Sequence, residues 1–289
     1  MDFNIGTMPL VENDGDYIKD GLLYCGKCNT RKQWKGVLLG KEQIMPCLCK
    51  CQTKARDRKK EEEKAEKQKE IIEKRRKYAF SGGKTEWEQE ENPASADEMR
   101  MMKWNFKTDD NANPEMTKKA KNFVRNFDAF RAKGRGIIFY GSTGTGKTFI
   151  SCCIANALID LGYLVIVTNF SKIANELLST YDKSDYMEKL MKCNLLIIDD
   201  LDIERQTGYM SETVYNVIDS RYRSGKPMIV TTNLSSEQLK NPGTIEKQRV
   251  YSRIMDVCIP ILFAGEDRRY KNAKNKYAED MKLLNEDVF

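Results

Sequence analysis

No histidine occurs among the 289 residues. Ser-His-Asp and Cys-His catalysis, histidine-ligated zinc and HExxH chemistry are therefore excluded together. Any metal site must use thiolate or carboxylate. There is no apolar run near the ~18 residues of a membrane span, and the opening MDFNIGTMPLVENDGD has no basic segment followed by an apolar one, so it does not read as a secretory signal. Net charge is only +6 with a mean hydropathy of −0.64, a balance that permits nucleic-acid binding without establishing it. Nine cysteines without a signal point to reduced thiols in the cytoplasm, used for packing or metal. The length suits about two domains, or one large domain with an extension.

The cysteines are uneven. Cys152, Cys153, Cys193 and Cys258 sit in apolar runs and read as core. Cys25, Cys28, Cys47, Cys49 and Cys51 crowd the beginning. Cys25-Gly-Lys-Cys28 is a CxxC knuckle, and a second thiol group follows a spacer that can form a hairpin turning near Gly40-Lys41. Four thiolates suit tetrahedral Zn²⁺, which would stabilise a module too small to fold on its own apolar residues. One thiol is surplus; Cys47 and Cys49 compete for the fourth place. Lys27, Arg31, Lys32, Lys35 and Lys41 permit phosphate contact here.

Residues 52–78 are almost wholly charged with mixed signs and rich in Lys, Glu, Arg and Ala, a solvated helical spacer. Residues 81–98 carry Gly, Pro, Ser and acids and read as loop. From about 117 the pattern becomes α/β. KKAKNFVRNFDAF is an amphipathic helix, and buried strands are expected at 136–140, 163–169, 195–199, 227–233 and 257–263 with helices between, a parallel doubly wound sheet.

Gly141-Ser142-Thr143-Gly144-Thr145-Gly146-Lys147-Thr148 fits GxxxxGK[ST] between a strand and a helix. Such a loop turns its N–H groups around phosphates, Lys147 reaches the β/γ-phosphates, and Thr148 can ligate Mg²⁺. The run LLII delivers Asp199 to a strand end, where it can hold Mg²⁺, and Asp200 can orient or deprotonate water. At Thr231-Thr232-Asn233, a polar side chain can reach the attacking water or the γ-phosphate.

GSTGTGKTFISCCIANALI, LLIIDDLDIER, YNVIDSRYRSGKPMIVTTNL and RVYSRIMDVCIPILFAGEDRR together resemble the AAA+ ATPases of the bacterial DnaC/DnaI helicase-loader group, especially phage and mobile-element copies. The resemblance covers roughly 100–270. It implies a P-loop AAA+ sheet without a full helical lid, preceded by a small zinc-binding module and a charged linker. The divisions expected are 1–51 (zinc module and partner contact), 52–99 (linker), 100–270 (ATPase) and 271–289 (tail). It further implies ATP with Mg²⁺ on Lys147, Thr148 and Asp199, Asn233 as sensor 1, and Arg253 as a finger acting on a neighbouring subunit, with Arg249 a competitor. Arg268 or Arg269 lies near the sensor 2 position. Asp200 stands where many AAA+ proteins have Glu. Implied partners are a hexameric DnaB-type helicase, single-stranded DNA (Lys172 and Arg205 being candidate contacts) and further copies of the chain in the ATP state. A transposase-helper ATPase of the IstB kind, acting on duplex DNA, and a helicase adaptor or inhibitor are the other readings.

Overall fold

The computed structural model describes residues 15–38, 40–180, 182–201 and 208–269, with positions 277, 280, 281, 284 and 285; Arg205 and most of 271–289 lie outside the described residues. The chain divides into two compact units, Met1–Ile71 and Ile72–Phe289.

The first unit holds two antiparallel pairs. Strands β1 (Tyr17–Lys19) and β2 (Leu22–Tyr24) pair Tyr17 with Tyr24, and β3 (Gln33–Leu38) and β4 (Lys41–Pro46) form the hairpin expected around Gly40. Among its described residues few are buried: Leu22, Leu23, Cys25, Lys32 and Cys49. Lys32 is paired with Asp16 inside the unit and cannot meet a phosphate, whereas Lys27, Lys35 and Lys41 are exposed. Helix α1 (Lys50–Phe80) begins here and runs past Ile72 into the second unit. Most of it is solvated, with Arg58–Glu62 and Lys59–Glu63 pairs on its surface; only Ala79 and Phe80 at its end are buried.

Residues 81–98 are not simply loop. Helices α2 (Glu86–Glu91) and α3 (Ala96–Met101) form there, each opened by a capping box, Thr85 with Glu88 and Ser95 with Glu98. In each box hydroxyl and carboxylate satisfy otherwise unpaired N–H groups, which offsets the Gly and Pro nearby. The amphipathic stretch after 113 is also two helices, α4 (Pro114–Arg125) and α5 (Phe127–Ala132), because the backbone leaves the helical region at Asn126 (φ −105°, ψ 21°).

Then follow β5 (Gly136–Tyr140), α6 (Lys147–Asp160), β6 (Val165–Thr168), α7 (Phe170–Ser179), α8 (Lys183–Lys192), β7 (Leu195–Ile198), α9 (Gly208–Arg223), β8 (Met228–Thr232), α10 (Ser236–Lys240), α11 (Ile245–Val257) and β9 (Cys258–Leu262). The strands make one parallel sheet in the order β6-β7-β8-β5-β9. Both faces are covered, so β6, β7 and β8 are buried at every residue, as parallel strands between helical layers must be. Alternation along the strands separates two cores. Ile138, Ile166, Leu196, Ile198 and Val230 face one layer of helices; Ile137, Phe139, Val167, Ile197 and Ile229 face the other. Cys152, Cys153, Cys193 and Cys258 are all buried, Cys193 and Cys258 in the first core and Cys152 in the second.

Among the described residues the largest fully buried side chain is Arg221 on α9. Its guanidinium donates to the carbonyls of Leu190, Met191, Cys193, Asn194 and Pro227, tying the end of α8 to the start of β8. A cation on the last carbonyls of a helix also opposes the negative end of its dipole.

Candidate nucleotide and metal sites

Strands β7, β8 and β5 are neighbours, so the segments leaving their carboxyl ends meet in one crevice, where open α/β sheets bind ligands. The loop after β5 is 141–146. Gly141 has φ 124°, and a Cβ there would come within 2.4 Å of the Phe263 carbonyl oxygen; at Gly144 (φ 75°) it would lie 1.8 Å from Asp267 Oδ1. Glycine is needed at 141 because the Phe263 backbone leaves no room for a Cβ, and at 144 because its left-handed backbone is strained for other side chains and a Cβ would displace the Asp267 carboxylate. Arg268 N–H donates to the Gly144 carbonyl at 3.0 Å, fastening the segment after β9 to the loop.

Lys147 opens α6 and is buried. Its ammonium donates to the carbonyls of Gly141 (2.8 Å) and Ser142 (2.7 Å), and Thr145 Oγ1 also donates to Ser142. Burial holds the Lys147 pKa below its ordinary value, against the opposing pull of Asp200 and Asp199. A desolvated cation at a helix N-terminus favours an anion beside it.

Asp199 leaves β7 half-buried, and its desolvation pushes its pKa up. Thr148 Oγ1 lies 3.0 and 3.1 Å from its two carboxylate oxygens, and Thr231 Oγ1 donates to Oδ1 at 2.6 Å. Asp200 takes a left-handed backbone, φ 55°. Its N–H donates to Thr231 Oγ1 at 2.8 Å, and its Oδ1 accepts from Asn233 Nδ2 at 2.9 Å. Thr231 thus holds both aspartates. The TTN motif pointed to this strand end, but it did not show that the threonine faces the acids rather than a ligand.

The crevice encloses about 340 Å³. Thr143, Gly144, Gly146, Lys147, Thr148, Asp199, Asp200, Asn233, Arg268 and Arg269 all line it, so the structure gathers nearly every residue that the motifs singled out. Both late arginines are present: Arg268 is paired with Asp110, and the charge of Arg269 adds to the lowering of Lys147. Trp104 and Phe149 complete the wall, with rings packed edge to face at 5.6 Å. Neither carries a motif; only the position of Phe149 directly after Thr148 hinted at it.

Arg253 is elsewhere. On α11 it pairs with Asp219 at 2.7 Å, stacks over Tyr215 at 4.9 Å and donates to the Arg249 carbonyl. It does not border the crevice. Lys172 is ion-paired with Glu98 and so is not a free cation for DNA.

In the first unit, the sulfurs of Cys25, Cys28, Cys49 and Cys51 all lie within 4.8 Å of one another. The knuckle after β2 supplies one pair, folded by Cys25 N–H to Thr30 and Asn29 N–H to Cys25; Cys49, just before α1, and Cys51, in its first turn, supply the other. Cys47 lies outside this cluster, its Sγ donating to the Arg31 carbonyl at 3.6 Å. The Thr30 hydroxyl, with help from Cys51, brings the Cys28 thiol down to about 5, and Cys28 in turn pushes Cys51 up to about 12. Four convergent sulfurs, without histidine or carboxylate, are the donor set of a structural zinc site.

Among the described residues no helix is long and apolar enough to cross a membrane. Over 151 residues the chain is 28% identical to the replicative helicase loader DnaI of Bacillus subtilis (strain 168), covering 48% of this chain and 49% of that protein. Over 126 residues it is 28% identical to the replicative helicase loader DnaC of Escherichia coli (strain K12), covering 42% and 50%. The chain thus spans about half the length of these relatives. A crystal structure of the DnaC helicase loader superposes with a TM-score of 0.50 at 21% identity, over 57% of this chain and 99% of that one, and shares the P-loop AAA+ fold. Residues 96–273 match the IstB-like ATP binding proteins, and the chain belongs to that family.

Proposed function

We propose that this chain is an ATP-hydrolysing DNA replication protein of the cytoplasm that binds a hexameric replicative helicase and delivers it to single-stranded DNA. The observation that carries the nucleotide chemistry is the junction of Thr148, Asp199 and Thr231 beside the phosphate loop. Residues 141–148 would hold the phosphates, with Lys147 turning from loop carbonyls to phosphate oxygens. Thr148 and Asp199 would hold Mg²⁺, which neutralises charge on the phosphates. Asp200, held by Asn233, would orient the attacking water and take up its proton. Arg268 and Arg269 border the same crevice and add positive charge there. Arg253, outside the crevice, would act only on nucleotide held by another copy, which needs self-association. Zn²⁺ on Cys25, Cys28, Cys49 and Cys51 would fix the first unit for helicase contact.

The helicase-loading part rests on the relatives, DnaI and DnaC, together with the cysteine module. The match to the IstB-like ATP binding proteins also fits a second reading, a transposase helper on duplex DNA. Light scattering of the chain mixed with the host replicative helicase, with and without ATP and Mg²⁺, separates them. A co-eluting complex that requires residues 1–51 is expected. Absence of any complex, together with duplex-DNA binding, would favour the helper.

A further inference from the structure

Helical spacing puts Tyr215, Asp219 and Arg223 at successive turns on one face of α9, and α11 packs alongside with Arg249 and Arg253 one turn apart. The Asp219 side chain is only 15% exposed, and both its oxygens are taken: Oδ1 by Arg253 Nε at 2.7 Å and Oδ2 by Arg223 Nε at 2.8 Å. The carboxylate is thereby fixed in orientation, and it fixes Arg253 in turn. Two further contacts complete the hold. Arg253 Nη1 donates to the Arg249 carbonyl at 3.1 Å, and Nη2 donates to the Tyr215 hydroxyl at 3.1 Å, with the guanidinium over the Tyr215 ring.

A guanidinium has five N–H groups, and Arg253 spends one on each of these three acceptors. One N–H on each terminal nitrogen is left without an acceptor among the described residues, and 24% of the side chain remains exposed. Arg221 on the same helix shows the contrast: it is fully buried, and its terminal nitrogens end on carbonyls of its own chain. Two terminal N–H groups can bind two phosphate oxygens at once, and an arginine already held in place loses less freedom in doing so. Charge points the same way. Arg223 and Arg253 share the one carboxylate of Asp219, and Arg249 has no acidic partner among the described residues, so this face favours an anion. Arg253 does not border the crevice of its own chain. On the ATPase reading above, we infer that Asp219 is the positioning residue for Arg253, holding its guanidinium in place for the phosphates of ATP bound by a second copy of the chain.

The test is steady-state ATP hydrolysis by the full chain, as single variants and as equimolar mixtures. Asp219→Asn should lower kcat by about tenfold and Arg253→Ala by about a hundredfold or more, with ATP Kd within about twofold of wild type in both, because each chain holds its own nucleotide without them. Asp200→Asn has the complementary defect: it hydrolyses its own ATP poorly but carries Asp219 and Arg253 intact. Mixed with Asp219→Asn, it should raise the rate to about a quarter of wild type, the share of head-to-tail interfaces that join the two intact halves at random. Asp219→Asn mixed with Arg253→Ala should gain nothing, since both lack the same half. Tyr215→Phe, which removes one of the three acceptors without touching a charge, should fall about threefold and be rescued by the same partner. Unchanged kcat in Asp219→Asn, or losses in it and in Tyr215→Phe that Asp200→Asn does not relieve, would overturn the inference, because a carboxylate that only braces α9 acts within its own chain. A wild type that hydrolyses no ATP would instead overturn the ATPase reading, and Arg253→Ala at full rate would overturn the finger.

Discussion

Asn233 Nδ2 donates to Asp200 Oδ1 across 2.9 Å, joining the end of β8 to the end of β7. Asp200 is strained, with φ 55°, and this bond is one of two that hold it. Asn233→Ala should lower kcat for ATP hydrolysis by roughly ten- to a hundredfold, and Asp200→Asn by about 10²–10⁴-fold, with nucleotide Kd little changed in both. Steady-state hydrolysis beside equilibrium nucleotide binding checks this; an equal loss in affinity would mean that the pair only shapes the binding site.

Thr231 gives the sharpest contrast between near-isosteric variants. Valine removes one donor to Asp199, which keeps Thr148, and leaves the Asp200 N–H without its acceptor, at about 1–3 kcal/mol. Serine keeps both. Denaturant unfolding should show Thr231→Val clearly destabilised, and hydrolysis should be restored in Thr231→Ser.

Metal analysis distinguishes the cysteines. Wild type and Cys47→Ser should carry one zinc per chain, and Ser at Cys25, Cys28, Cys49 or Cys51 should lose it. Chelation should remove amide-exchange protection across β1–β4 while leaving the sheet of the second unit protected. Zinc lost from Cys47→Ser but kept in Cys49→Ser would reverse the ligand assignment.

Arg221→Met should cost about 3 kcal/mol or more, because the carbonyls gathered by the guanidinium are left without donors inside the protein. Arg221→Lys should not recover it, since an ammonium cannot span both groups of carbonyls. Thermal or urea unfolding of both variants decides this; a loss near zero would mean that water replaces the side chain.

Glu98 carries a pH signature. Burial raises its pKa, but the Lys172 ammonium and the Ser95 N–H outweigh burial and leave it below the ordinary value. A carboxyl lowered by folding contributes stability above its unfolded pKa of about 4.3, and the contribution is lost as pH falls through the folded value. Glu98→Gln should thus be less stable at pH 7, by about 1 kcal/mol at most for a partly solvated pair, with the difference closing below about pH 4. Urea midpoints across that range measure it; a constant difference would assign the effect to the cap alone.

The sheet was legible because β5–β8 are short, continuously apolar runs ended by polar or glycine-rich segments, and the phosphate loop because its glycines and Lys147 keep strict spacing. Capping boxes at Thr85 and Ser95 were present as letters, but Gly82, Gly83 and Pro93 masked them. The choice between Cys47 and Cys49 depended on where α1 begins, since its first turn carries Cys51 to the knuckle and leaves Cys47 on the hairpin side. Lys32 and Lys172 looked like surface charge; what decided otherwise were Asp16 and Glu98, which no local pattern places beside them. Trp104 reaches Phe149 only through the folded path of residues 101–106, so spacing carried no sign of it.

The order of the sheet also bears on how the protein is made. β5, which presents the phosphate loop, is the first of its five strands to be synthesised, yet both its neighbours, β8 and β9, come last. Pairing across such long stretches of chain is slow to form. On a ribosome, the strand must wait through three other helix-and-strand segments before either edge is covered. The loop gains its tie from Arg268 N–H to Gly144 only after β9 has emerged. Nucleotide therefore cannot act as an early template for folding this domain. A nascent chain halted before residue 258 would leave β5 unpaired on one edge and should fail to retain ATP, and release of those last residues would be the step that creates the binding site.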